Sequence, residues 1–226
     1  MSLECPTEAP YYFKFVLHTL GLISIPINSL GCYLVIFHSA KHTNYKYCLL
    51  YLQIVTFIVE IYMSWIAPGY YFFPMIGGYI TNSFVAQFVS GHFSVVFYFF
   101  FFAFEMPALV VCFQTRHDYV AELKREMKLS KYLTQFMVHS CHLFPFAVST
   151  LLFFSELPYE KQYEIIAREY PKCLHVLKIQ GFALYDYKEN VYFLSVGILV
   201  FLALLIYGGY MIFLSIYTNK KKKKNK

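Results

Sequence analysis

Five stretches of this chain are too apolar, over too great a length, to sit in a water-soluble domain. They run over Phe15–Phe37, Tyr47–Ala67, Phe84–Phe113, Tyr132–Ser155 and Val191–Tyr217. Within them Asp, Glu, Lys, Arg and His are limited to His18, Glu60, His92, Glu105, His139 and His142. Each run can cross roughly 30 Å of hydrocarbon as a helix rising about 1.5 Å per residue. In lipid every backbone N–H and C=O must find its partner inside the segment, so runs this apolar are expected to be helices. Strands of a membrane barrel would be about ten residues of alternating polarity, a pattern not found here. The expected fold is therefore all-α: a polytopic transmembrane bundle of five helices within residues 1–217, followed by a cytosolic polybasic tail at 218–226. The first run follows Glu4 and Glu8, has no basic leader and is too long for a signal peptide, so it is expected to be retained.

Composition agrees. The chain is 58% hydrophobic and 14% charged, where a soluble domain is about 45–50% apolar and about 25% charged. A net charge of +6 could point to nucleic acid, but its placement argues against that. Lys220 to Lys224 and Lys226 crowd the carboxyl end, and the other cations border apolar runs. The charge is read as topology and contact with anionic lipid. Lys41, Lys46, Arg116, Lys124, Arg125, Lys128, Lys131 and the tail share one side of the membrane. Lys14, Lys161, Arg168, Lys172, Lys178 and Lys188 face most of the acidic residues on the other. This places the amino terminus outside and the tail in the cytosol. Of the outer segments, 68–83 is uncharged, rich in aromatics and punctuated by Pro and Gly, which suits the membrane interface. Segment 156–190 is long and mixed in charge. It is expected to form an ordered external lid with helix near Glu160–Glu169.

An ionisable group inside a bilayer costs roughly 2–3 kcal/mol or more, so it faces a cavity or a partner. Glu60, with Gln53 seven residues before it on the same helical face, marks either a polar ligand pocket or an interhelical hydrogen bond. Glu105 lies nearer the inner end of its helix and suits a switch as well as a pocket. His92 is a third pocket candidate. His139 and His142 sit on one face beside Cys141, but without a matching third ligand they read as histidines bonded to neighbouring helices rather than a metal site. Pro26, Pro107, Pro145 and Gly208-Gly209 are expected to kink or loosen their helices. Arg116-His117-Asp118 ends the third helix on the cytosolic side, either as a topological anchor or as a partner contact.

The cysteines at 5, 32, 48, 112, 141 and 173 form no Cys-x-x-Cys pair, which argues against a zinc knuckle or a redox motif. Cys5 and Cys173 alone lie in segments expected outside, where a disulfide between them would tie the amino terminus over the outer loop. No Asn-x-Ser/Thr acceptor, phosphate-binding Gly-rich loop or Gly-x-Ser-x-Gly elbow occurs. Neither an enzyme nor a cofactor is expected.

Several motifs carry a resemblance. Cys5-Pro6 is followed by Leu17-His18, Gly21, Ile23-Ser24, Pro26-Ile27, Leu30-Gly31 and Tyr33, and then by Tyr45-Lys46-Tyr47-Cys48-Leu49-Leu50-Tyr51-Leu52-Gln53. Ala67-Pro68-Gly69, Phe72-Phe73-Pro74 and Gly77-Gly78-Tyr79 come next, and Phe113-Gln114-Thr115-Arg116-His117 ends the third helix. The chain resembles the nematode serpentine chemoreceptors of classes h and i, most densely over residues 5–120, with Thr115 standing where those receptors have an aromatic residue.

The resemblance implies a seven-helix, G-protein-coupled receptor for small environmental chemicals, carried on sensory cilia. It implies that Arg116 and His117 serve a cytosolic switch that contacts a heterotrimeric G protein, with Glu60 and Glu105 inside the bundle. Five predicted helices against seven give the expectation of a product shortened after the fifth, with impaired signalling. Two further readings stand beside it: a non-signalling partner that pairs with full-length receptors, and, less favoured, a small transporter, whose paired broken helices are not seen. Lys223-Lys224-Asn225-Lys226 matches a dilysine signal for retention in the endoplasmic reticulum, against the plainer reading of lysines that fix topology.

Overall fold

A computed structural model describes residues 5–38, 45–123 and 130–224. Lys41, the Lys124, Arg125 and Lys128 cluster, and the last residues of the lysine tail lie outside the described residues. Five helical stretches are long and apolar enough to span a membrane: Tyr11–His38, Tyr45–Ile66, Gly91–Glu122, Lys131–Phe153 and Val191–Ile216. The protein is a multi-pass helical membrane bundle.

The first span is α1, Tyr11–His38. Only Gly21 and Asn28 are buried along it, and most of its Leu, Ile and Phe side chains are exposed. Such a surface is stable only with lipid around it. α1 leans on the second span, and Gly21 permits the approach, because a Cβ there would overlap the Trp65 indole. The second span is α2, Tyr45–Ile61, prolonged by a π turn at Tyr62–Ile66. Pro68 forces Ala67 out of the helical region, to φ −137° and ψ 63°, and the span ends there.

The third span departs from the expected Phe84–Phe113 run. A short helix, α3 at Ser83–Phe88, comes first, with the Asn82 side chain accepting from the Phe84 and Val85 amides. The chain then restarts at α4, Gly91–Ala103, where the Ser90 hydroxyl accepts from the Phe93 amide. Two polar caps in succession divide what hydropathy alone merges. α5, Glu105–Leu123, continues the span after a break at Phe104. The cause is Pro107, which has no N–H for the Ala103 carbonyl and whose ring crowds it. α6, Lys131–Phe153, and α8, Val191–Lys224, are the fourth and fifth spans, and α6 stays helical through Pro145. Spans three, four and five share the main core, around Val110, Cys141, Val148, Leu152, Ala203 and Leu214.

The segments linking the spans at one end form a lid. β1, Gly69–Phe72, and β2, Gly77–Ile80, make a hairpin within the aromatic segment expected at the membrane interface. β3, Phe182–Leu184, joins β2 from a hundred residues away, giving the antiparallel order β1-β2-β3. So the fold is a helical bundle with one small sheet added. α7, Tyr159–Glu169, and a 3-10 segment at Pro171–Lys178 lie over the sheet. Cys5, Phe72, Met75, Tyr79, Ile166, Cys173 and Val176 form the lid's own apolar core. Cys5 and Cys173 are bonded, with 5.5 Å between their Cα atoms, and His175 Nε2 donates to the Cys5 carbonyl at 2.6 Å.

Candidate functional site: a cavity beneath the lid

A cavity of about 510 Å³ lies between the sheet and the lid ends of spans two to five, within the roughly 300–1,000 Å³ common for small-molecule sites. The roof is glycine-rich for a mechanical reason. Side chains opposite each other in the β1–β2 ladder share a face, so Tyr71 pairs with Gly78. A Cβ on Gly78 would strike the Tyr71 ring and the Tyr70 carbonyl. Gly181 turns the chain into β3 with φ +76°, a conformation open to glycine. Its carbonyl reaches the start of α4, where a Cβ on Gly91 would overlap it. These close backbone approaches seat the sheet on the bundle.

The walls come from Met63 on span two, Ser94, Val95, Tyr98 and Phe99 on span three, Leu152 on span four, and Phe193, Val196, Gly197 and Val200 on span five. Tyr62 reaches across with its hydroxyl 2.9 Å from the Ser94 hydroxyl and 3.0 Å from the Ser94 carbonyl. Tyr185, which follows β3, lines the cavity and stacks on Phe193. Burial pushes the Tyr185 hydroxyl well above the usual tyrosine range, so it is an un-ionised donor at neutral pH.

Behind the wall His92, only 5% exposed, sits with Nδ1 2.9 Å from the Tyr185 hydroxyl and Nε2 3.1 Å from the Phe153 carbonyl. A carbonyl only accepts, so Nε2 carries the proton and Nδ1 accepts from Tyr185. One imidazole thus joins the lid, span three and the end of span four.

A second polar group lies between spans one and two. Asn28, 6% exposed, donates to Glu60 Oε2 at 2.6 Å and to the Ser24 carbonyl at 3.0 Å. Ser24 also donates to Glu60 Oε2, and Gln53 donates to Asn28 Oδ1. At the opposite end from the lid, the Gln114 side chain donates to Asp118 Oδ1 at 2.8 Å and accepts from the Tyr210 hydroxyl, tying span three to span five. Tyr207 donates to Ser140 at 3.0 Å, tying span five to span four.

A protein-family model for the serpentine type 7TM GPCR chemoreceptor Sri matches residues 3–224. The chain belongs to this family. Neither a curated protein nor a solved structure gives a match. The Sri family is one of chemoreceptors rather than of enzymes.

Within this Sri chain the residues singled out by sequence fall in different places. His92 backs the cavity through Tyr185. Gln53 and Glu60 share the seam with Ser24 and Asn28 on span one, and neither lines the cavity. Glu105 is half-buried at the start of α5, beside the break. Arg116 is exposed, whereas His117 is 4% exposed with Nδ1 3.5 Å from Asp118 Oδ1. His139 and His142 each donate from Nδ1 to a carbonyl four residues back on their own helix, Gln135 and Val138. Among the described residues no three His, Cys, Asp or Glu side chains converge as a metal site.

Tyr71, Tyr98, Tyr185 and the glycines of the roof escaped the sequence reading. For Tyr71, Gly77 and Gly78 the signal was present in the uncharged, glycine-punctuated 68–83 segment. Its meaning depends on pairing with residues 182–184, which no local pattern announces.

Proposed function

We propose that the protein is a chemoreceptor that binds a small organic molecule in the cavity beneath the lid. The lid faces the cell exterior and the lysine tail faces the cytosol. The observation that carries this reading is the cavity itself: an apolar pocket among four spans, roofed by a sheet and a disulfide-tied lid. Apolar chambers between bundle helices are where small ligands bind. A Cys5–Cys173 disulfide suits an oxidising exterior, and the cationic connections gather at the other end.

Occupancy of the cavity is transmitted along span three, which lines it with Ser94, Tyr98 and Phe99. The same span ends in the Gln114–Asp118–Tyr210 cluster and exposed Arg116. That end is the contact for a heterotrimeric G protein, with Arg116 offering the exposed cation.

The test is a G-protein reporter in cells expressing the chain, screened with a library of small volatiles and metabolites. A response that depends on Arg116 and on cavity residues supports the receptor reading. Ligand binding with no reporter response, together with co-purification of a second receptor, selects the non-signalling partner instead. An epitope after Lys226 that is reached by antibody on intact cells would reverse the orientation.

A further inference from the structure

The composition of the cavity wall bears on what enters it, given the reading above that the ligand binds there. Among the described residues no Asp, Glu, Lys, Arg or His side chain lines it. Its polar side chains carry hydroxyls, and these differ in availability. Those of Ser94 and Tyr185 are engaged by Tyr62 and His92. The Tyr79 hydroxyl has no partner but also no open surface. Among the described residues, the Tyr71 and Tyr98 hydroxyls bond to no protein group. In an apolar wall such hydroxyls favour a ligand with one matching polar atom. An ionised ligand would lose its water and gain no counter-ion. Glu105 follows Tyr98 by two helical turns and lies outside the wall.

Size is set at a different position. Phe193, Gly197 and Val200 fall at i, i+4 and i+7 on α8, one helical face, and all line the cavity. At Gly78 and Gly91 protein atoms occupy the place a Cβ would take, whereas at Gly197 nothing lies within 4 Å. Gly197 is exposed and lines the cavity, so a side chain added there enters open space along the cavity rim rather than displacing packed atoms.

We propose that the cavity selects an uncharged organic molecule with an apolar body and a single hydrogen-bonding group held by Tyr71 and Tyr98, its bulk limited at Gly197.

The full chain in phosphatidylcholine nanodiscs at neutral pH tests this, with 1-aminoanthracene as the fluorescent probe. The signal is the difference between wild type and Gly197→Phe in identical discs, which removes partition into lipid. The expected result is saturable probe binding in wild type, absent in Gly197→Phe and reduced in Gly197→Ala. Gly197→Ala serves as the reference if the Phe variant fails to give a monodisperse protein. 1-Octanol and octane displace the probe, while octanoate and octylamine do so on the order of a hundredfold less well. Tyr98→Phe weakens 1-octanol about three- to tenfold, the worth of one hydrogen bond, and leaves octane unchanged. Equal displacement by octanoate or octylamine overturns the ligand class while cavity binding stands. An octanol affinity unmoved in a Tyr71→Phe/Tyr98→Phe double variant overturns the anchor. Identical probe signals in wild type and both Gly197 variants overturn binding in the cavity and the function proposed from it.

Discussion

His92 on span three and Tyr185 in the lid share a hydrogen bond of 2.9 Å, formed inside a site where both side chains are less than a tenth exposed. The two residues are 93 positions apart in the chain, so the bond exists only once the lid has docked. Removing either partner strands a buried polar atom on the other. His92→Leu is expected to cost about 1–3 kcal/mol, read as a lower melting temperature in detergent. A double-mutant cycle with Tyr185→Phe should return a coupling of about 1 kcal/mol, and zero coupling would show that the two side chains do not interact.

Tyr185 also sets an alkaline limit. Burial raises its folded pKa above the usual value of about 10. The folded state then holds its proton where the unfolded state releases it. The Tyr185 contribution is complete below about pH 10 and is lost as pH rises through the raised folded value. Melting temperatures taken from pH 8 to 11 should fall less steeply in Tyr185→Phe than in wild type.

The lid should loosen when Cys5 is replaced by Ser. The bridge spans a sequence separation of 168 residues, and closing a long loop in the unfolded chain is worth about 2–5 kcal/mol. Residual helix in the unfolded state within lipid lowers that figure. The expected outcome is faster cleavage after Glu8 by an acid-specific protease. An unchanged digestion pattern would mean that the lid is held without the bridge.

Two glycine substitutions should behave in opposite ways. Gly91→Ala drives a methyl into the Gly181 carbonyl, backbone against backbone, and overpacking of this kind costs about 1–3 kcal/mol. Gly208→Ala meets nothing within 4 Å and removes the helix penalty of glycine, a gain of up to about 1 kcal/mol. Thermal melts of the two variants should therefore move in opposite directions.

The seam between spans one and two depends on Asn28, which both donates to Glu60 and accepts from Gln53. Asn28→Leu should weaken the packing of span one by about 0.6–2 kcal/mol, the usual range for interhelical polar contacts in membranes. Steric trapping or resistance to SDS would measure the loss. Probe binding in the cavity should be unchanged, since neither Gln53 nor Glu60 lines it. A large loss of binding would place this network in the ligand site.

Much of the architecture was legible because lipid leaves a chain little choice. A long uncharged run must satisfy its own backbone, so apolarity and length alone announced the spans, and the paired caps at Asn82 and Ser90 account for where the third one starts late. The helix at Tyr159–Glu169, in a segment of mixed charge, was visible as well. The partners of Glu60 were not, because Ser24 and Asn28 look like ordinary residues of an apolar helix until two spans are set side by side. The roof was hidden for a stronger reason. Gly77, Gly78 and Tyr79 become a strand by bonding to Phe72, Tyr71 and Tyr70 on one side and to Leu184, Ala183 and Phe182 on the other. Helix formation is local, so sequence determined it. Strand pairing, disulfide closure and the cavity beneath them are contacts between distant segments, and only the tertiary structure decided them.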